Sequence, residues 1–82
     1  MKYFQMKYRA FSLASEELWE RQDNLNLPHT SIHSSFSGMD GSVWTPDATG
    51  EASFREVLQD LDITFTESDR QEVQTWLDAF SL

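Results

Sequence analysis

Two histidines, His29 and His33, are the side chains in this sequence that most readily bind a metal or carry a proton near neutral pH. They stand four residues apart in HTSIH. On a helix that spacing aims both imidazoles at one cation. The surroundings oppose a helix: Pro28 precedes the pair, Thr30 and Ser31 lie inside it, and Ser34 and Ser35 follow. No glutamate follows the first histidine as in the HEXXH zincin pattern, and no third ligand stands at a fixed spacing. Both rings are expected on the surface of a hairpin, with a small metal-dependent enzyme using His29 and His33 as the alternative.

Other chemistries find less. Serines are plentiful, but there is no GxSxG elbow, and 82 residues leave little room for a cleft with an oxyanion hole. Carboxylates are numerous, yet nothing in the pattern singles out a buried pair for acid–base work. DATGEASFREV lacks the alternating acidic ligands of a calcium loop, and no glycine-rich phosphate loop is present. With no cysteine, disulfides and thiolate metal sites are excluded, which suits a reducing compartment. No catalytic residue, metal ligand or cofactor is assigned, and the chain is expected not to be an enzyme.

The carboxylates matter instead for where they point. The formal net charge is −8, with 14 acids against six Lys and Arg. Lys2, Lys7 and Arg9 are three of those six, so beyond residue 9 all 14 acids face only three cations. Glu16, Glu20 and Asp23 recur at i, i+4, i+7, and Glu56 and Asp60 at i, i+4. Like charges at that spacing destabilise a helix by ~0.2–0.5 kcal/mol per pair. They persist where water solvates them or where something positive uses them. Glu17 can pair with Arg21. Trp19, on the flank of the same helix, and Trp44, facing away from Phe36, are candidate aromatic anchors for a partner.

The elements that must carry these residues follow from periodicity. KYFQMKYRAF over residues 2–11 alternates, which predicts a half-buried strand with Phe4, Met6, Tyr8 and Ala10 on one face. Ser12 or Ser15 then offers an N-cap for a helix to about Asn24, with Ala14, Leu18 and Leu25 inward. Residues 29–45 read as a polar hairpin near a sheet edge, turning at Asp40-Gly41 with Phe36 and Val43 on one face. A second helix over Glu51 to Leu61 presents Phe54, Val57, Leu58 and Leu61, and a third presents Val73, Trp76, Leu77 and Phe80. Thr66 is expected to cap the third helix, with Asp69 at N3. Residues 62–66 read as either a short strand or a connector. The order β-α-β-β-α-(β)-α predicts one α+β domain over residues 1–82, a small antiparallel sheet of about three strands with helices on one face.

These features point to an acidic, non-enzymatic protein–protein interaction module. Its expected role is to inhibit or regulate a partner by docking on a basic, nucleic-acid-binding surface. Small phage anti-CRISPR and anti-restriction proteins are similar in size, acidity and strand-to-helix opening, a likeness that rests on no motif. The residues expected to make that contact are Glu16, Glu20, Asp23, Glu56, Asp60, Trp19 and Trp44. The acidic balance argues against direct nucleic-acid binding and against an anionic membrane surface. No run of about 20 apolar residues or of signal-peptide length occurs, so a cytoplasmic protein is expected. The alternative is a structural or assembly protein forming homo-oligomers, a homodimer among them, through its first strand.

Overall fold

A computed structural model describes residues 2–36 and 42–80. The chain runs through β1 (Tyr3–Met6), α1 (Tyr8–Asn24), β2 (Ile32–Phe36), β3 (Ser42–Pro46), α2 (Glu51–Asp60), β4 (Thr66–Ser68) and α3 (Arg70–Phe80). Its four strands form one antiparallel sheet in the order β2-β3-β1-β4. The α+β class and the element order are those expected, with a fourth strand added. That strand begins at Thr66 and pairs with β1, Gln5 opposite Thr66, while residues 63–65 are the connector leading into it.

The core forms where sheet and helices meet. Phe4 and Met6 of β1, Trp44 of β3, Ala14 and Leu18 of α1, and Phe54, Val57 and Leu58 of α2 are buried together. Phe4 meets Phe54 edge to face at 5.4 Å, and Phe11 lies flat on Trp44 with centroids 3.6 Å apart. The edge-to-face pair suits the ring quadrupole, while the nearly face-to-face stack of Phe11 on Trp44 gains from the apolar area it buries. The pleat sends Val43 the opposite way from Trp44, and it too is buried. Val73 of α3 lines a small cleft with Tyr3, Gln5 and Val43.

Several boundaries differ from expectation, each for a visible reason. β1 stops at Met6 rather than running to residue 11, because Lys7 opens α1. Ala10, Phe11, Ala14 and Leu18 then form a helical stripe against the sheet, which outweighs the alternation of Tyr8 and Ala10. Neither Ser12 nor Ser15 caps α1; Ser15 lies mid-helix, and its hydroxyl donates back to the Phe11 carbonyl at 2.9 Å. Leu25, expected inside, is the C-cap and 69% exposed. Thr66 belongs to β4, so Asp69 itself caps α3, its Oδ1 accepting the Glu72 N–H at 2.9 Å. Across the hairpin Phe36 pairs with Val43, with a bulge between Ser34 and Phe36. The Asp40-Gly41 turn and the side chains of Trp76, Leu77 and Phe80 lie outside the described residues.

Both α1 and α2 end in the same way. Asn26 and Asp62 adopt left-handed φ of 57° and 55°. The Leu27 N–H reaches the Gln22 carbonyl at 2.8 Å, and the Ile63 N–H reaches that of Leu58 at 3.0 Å. The Asn26 and Asp62 N–H groups bond one position further along, to Asp23 and Gln59. These are Schellman closures with Asn and Asp where glycine is commonest. The second one throws Leu61 out of the core, where its spacing had placed it, and leaves it 40% exposed.

The topology also bears on the assembly alternative. β1 has β3 on one side and β4 on the other, so it offers no free edge to a second copy. Edge-to-edge pairing of the first strand with that of a second copy is therefore not open to this fold.

Candidate docking surface

The side of α1 opposite Ala14, Leu18 and Gln22 faces solvent, because those three are buried. Glu16 and Glu20 stand on that outer side, both exposed, and neither has a hydrogen-bond or ion-pair partner among the described residues. Glu56 has the same status on α2. Three of the seven residues expected to make the contact are thus free carboxylates on the outside of the helical layer.

The other four are engaged to different degrees. Asp23 is exposed but its Oδ1 lies 2.8 Å from His29 Nε2. The His29 ring in turn stacks on Trp19, centroids 5.4 Å apart and planes 10° from parallel. Trp19 donates its indole N–H to the Thr30 carbonyl at 3.1 Å, so the one polar atom of that ring holds the chain that follows α1. Thr30 is gripped again from inside. Its hydroxyl accepts from Gln22 Nε2 at 2.6 Å, and its N–H donates to Gln22 Oε1 at 3.0 Å. Buried Gln22 thereby satisfies both ends of its amide, as a buried polar group must. His29 is tied to α1, His33 is exposed on β2, and among the described residues no three His or carboxylate side chains converge on a metal position.

Asp60 corrects an expectation. It does not stand beside Glu56 as a free pair but accepts from Arg21 Nη1 at 2.8 Å. Arg21 Nε donates at the same time to Glu17 Oε1 at 2.9 Å. One guanidinium therefore joins α1 to α2 and neutralises an acid on each. The hydrogen bond to Asp60 first, and that to Glu17 second, raise the Arg21 pKa above its ordinary value. Arg55 acts likewise between Glu51, at 3.6 Å, and Glu67 of β4, to which its Nε donates at 2.9 Å. Among the described residues, the local pair of Glu17 with Arg21 is one that its i, i+4 spacing predicts.

Trp44 corrects another. It is 7% exposed and packed against Phe11, so it is a core residue and no anchor for a partner. The sheet face it occupies is covered by α1 and α2. Its Nε1 has no acceptor among the described residues.

Beside Glu16 and Glu20 lies something the spacing of acids did not reveal. Leu13, Leu61 and Ile63 line a groove of about 340 Å³ together with Glu16, Glu17 and Glu20. Leu13 is 55% exposed. Its place three residues before Glu16 and seven before Glu20 puts it on the acidic side of α1, and that spacing was the available signal. Among the described residues no helix is long and apolar enough to cross a membrane. No protein-family model, no curated protein and no solved structure matches this chain.

Proposed function

We propose that the protein is a non-enzymatic interaction module whose outer α1–α2 face docks on a basic surface of a protein partner, one that otherwise holds nucleic acid. The observation that carries this reading is the pair Glu16 and Glu20, exposed and without a partner among the described residues. Glu56 extends it onto α2. Arg21 and Arg55 each already serve two acids, so these carboxylates remain as surplus negative charge. Neighbouring acids on a helix lie ~5–6 Å apart, a spacing that lets them stand in for successive phosphates on a cationic groove. Such a contact forms quickly, through electrostatic steering, and weakens as salt rises. The module acts by occupancy: while it is bound, nucleic acid is excluded.

The test is capture of the partner from the source cell by tagged protein, identification by mass spectrometry, and titration of the purified pair. Glu16→Lys, Glu20→Lys and Glu56→Lys together should weaken binding at least tenfold, about 1.4 kcal/mol. The circular dichroism spectrum should not change, since none of the three has a hydrogen-bond or ion-pair partner among the described residues. Duplex DNA or RNA should compete with the wild type for the partner. A triple variant that binds as tightly as wild type, or a partner that holds the module and nucleic acid together, refutes the proposal.

A further inference from the structure

We infer that the groove between α1 and the connector from α2 to β4 is the seat of one amphipathic, basic helix of the partner. This rests on the acidic-face reading above and goes beyond it, adding an apolar component with its own residues. Ile63 belongs to two clefts at once. One is the groove it lines with Leu13, Leu61 and the acids; the other, about 670 Å³, is lined by Met6, Lys7, Ala10 and Phe65 among others. Sharing Ile63, the two adjoin, and we take them as one trough along α1 from Lys7 to Glu20, roughly 20 Å at 1.5 Å per residue. That length accommodates a helix of about four turns.

The walls are built rather than incidental. On one side stands α1. On the other, the Schellman closure of α2 fixes Leu61 and Ile63, and Phe65 packs edge-on against Phe4 at 5.8 Å. The trough therefore keeps its shape without an occupant. Single exposed leucines need no explanation, but Leu13 and Leu61 flank the same trough and continue into half-buried Ile63 and Phe65. A contiguous apolar strip rimmed by charge is what a helix-in-groove contact uses.

The chemistry of the lining selects the occupant. Glu16 and Glu20, free of partners among the described residues, border one end, on a chain of net charge −8. An apolar helix flanked by Lys or Arg answers both the apolar and the acidic lining. An acidic peptide or nucleic acid meets like charge, and a second copy of this chain would bring two acidic linings together.

The probe is a synthetic Lys/Leu peptide patterned as an amphipathic helix, titrated into methyl-labelled full-length protein. Its controls are a scrambled peptide of the same composition and oligolysine. The amphipathic peptide should shift the methyl resonances of Leu13, Leu61 and Ile63. Leu13→Ser with Leu61→Ser should weaken it at least tenfold while leaving the weak, salt-sensitive binding of oligolysine unchanged. Equal affinity for the scrambled peptide, shifts centred on Leu25 and Leu27 instead, or undiminished binding by the double serine variant overturns the groove assignment. So does a dimer in sedimentation that the serine substitutions dissociate, since the trough would then hold a second copy. In any of these cases, loss of oligolysine binding in Glu16→Lys/Glu20→Lys leaves the acidic-face reading standing. If that variant retains both peptides, both proposals fall.

Discussion

Gly50, just before α2, sets up a sharp test of how the chain after α1 is held. Its φ of −97° is open to any residue, so the demand for glycine is one of space. A Cβ placed there would stand 2.1 Å from Thr30 Cγ2, 2.7 Å from Oγ1 and 2.9 Å from Cβ. Thr30 cannot swing aside freely, because Gln22 holds it at two atoms and Trp19 at a third. Gly50→Ala must therefore displace a clamped, buried residue. Overpacking of this kind costs ~1–3 kcal/mol, and each weakened Gln22–Thr30 bond adds about 1. Against this, alanine restricts the unfolded chain and returns ~0.4–1 kcal/mol. The net loss should be about 2–3 kcal/mol, or roughly 10–20 °C in Tm for a domain this small. Thr30→Ala removes the two nearest obstructing atoms and by itself should cost ~1–2 kcal/mol through the stranded Gln22 amide. The double variant should be more stable than additivity predicts by ~1–3 kcal/mol. Urea unfolding of the four proteins, followed by tryptophan fluorescence, measures the cycle. A Gly50→Ala protein as stable as wild type, or strictly additive losses, would refute the clamp.

Two further outcomes follow from buried and capping groups. Trp44→Phe keeps a ring stacked on Phe11 and deletes an indole N–H without an acceptor among the described residues, so stability should move by less than ~1 kcal/mol, whereas Trp44→Ala should cost ~3–5 kcal/mol; equal losses in chemical denaturation would contradict this. The Thr49 hydroxyl foremost, with backbone N–H groups of Gly50, Ser31 and Thr49, holds the Asp47 carboxyl below the ordinary carboxylate value. Its stabilisation is then complete above that value and lost as pH falls through the lowered one, so the stability gap between wild type and Asp47→Asn should close on acidification; a gap that is constant or widens through the acid limb counts against the assignment.

What was legible in the sequence was what local spacing decides. Phe4 and Met6 announce a buried strand face, Phe54, Val57 and Leu58 a helix stripe, and Glu16 and Glu20 an outward acidic side. The end of β1 was not legible, because residues 4–10 satisfy a period of two while Ala10 to Leu18 satisfy one of 3.6, and the stacking of Phe11 on Trp44 settles the overlap. Nor was the fate of Asp60, whose partner Arg21 is brought near only by helix packing. Leu61 keeps perfect helical spacing yet leaves the core, since the left-handed Asp62 ends the helix around it. Parity showed that Val43 and Trp44 face opposite ways but could not show that both faces of β3 are covered.

The interior position of β1 has a consequence for how the molecule is made. A ribosome delivers Phe4 early, yet its neighbours in the sheet, Trp44 and Glu67, arrive much later. The sheet cannot close until Ser68 has emerged, so nascent protein must carry an unpaired strand while the β2–β3 hairpin is already able to form. Assembly should accordingly be slow for so small a chain. Removing the first six residues would also do more than trim a border: it would leave β4 with nothing to pair with.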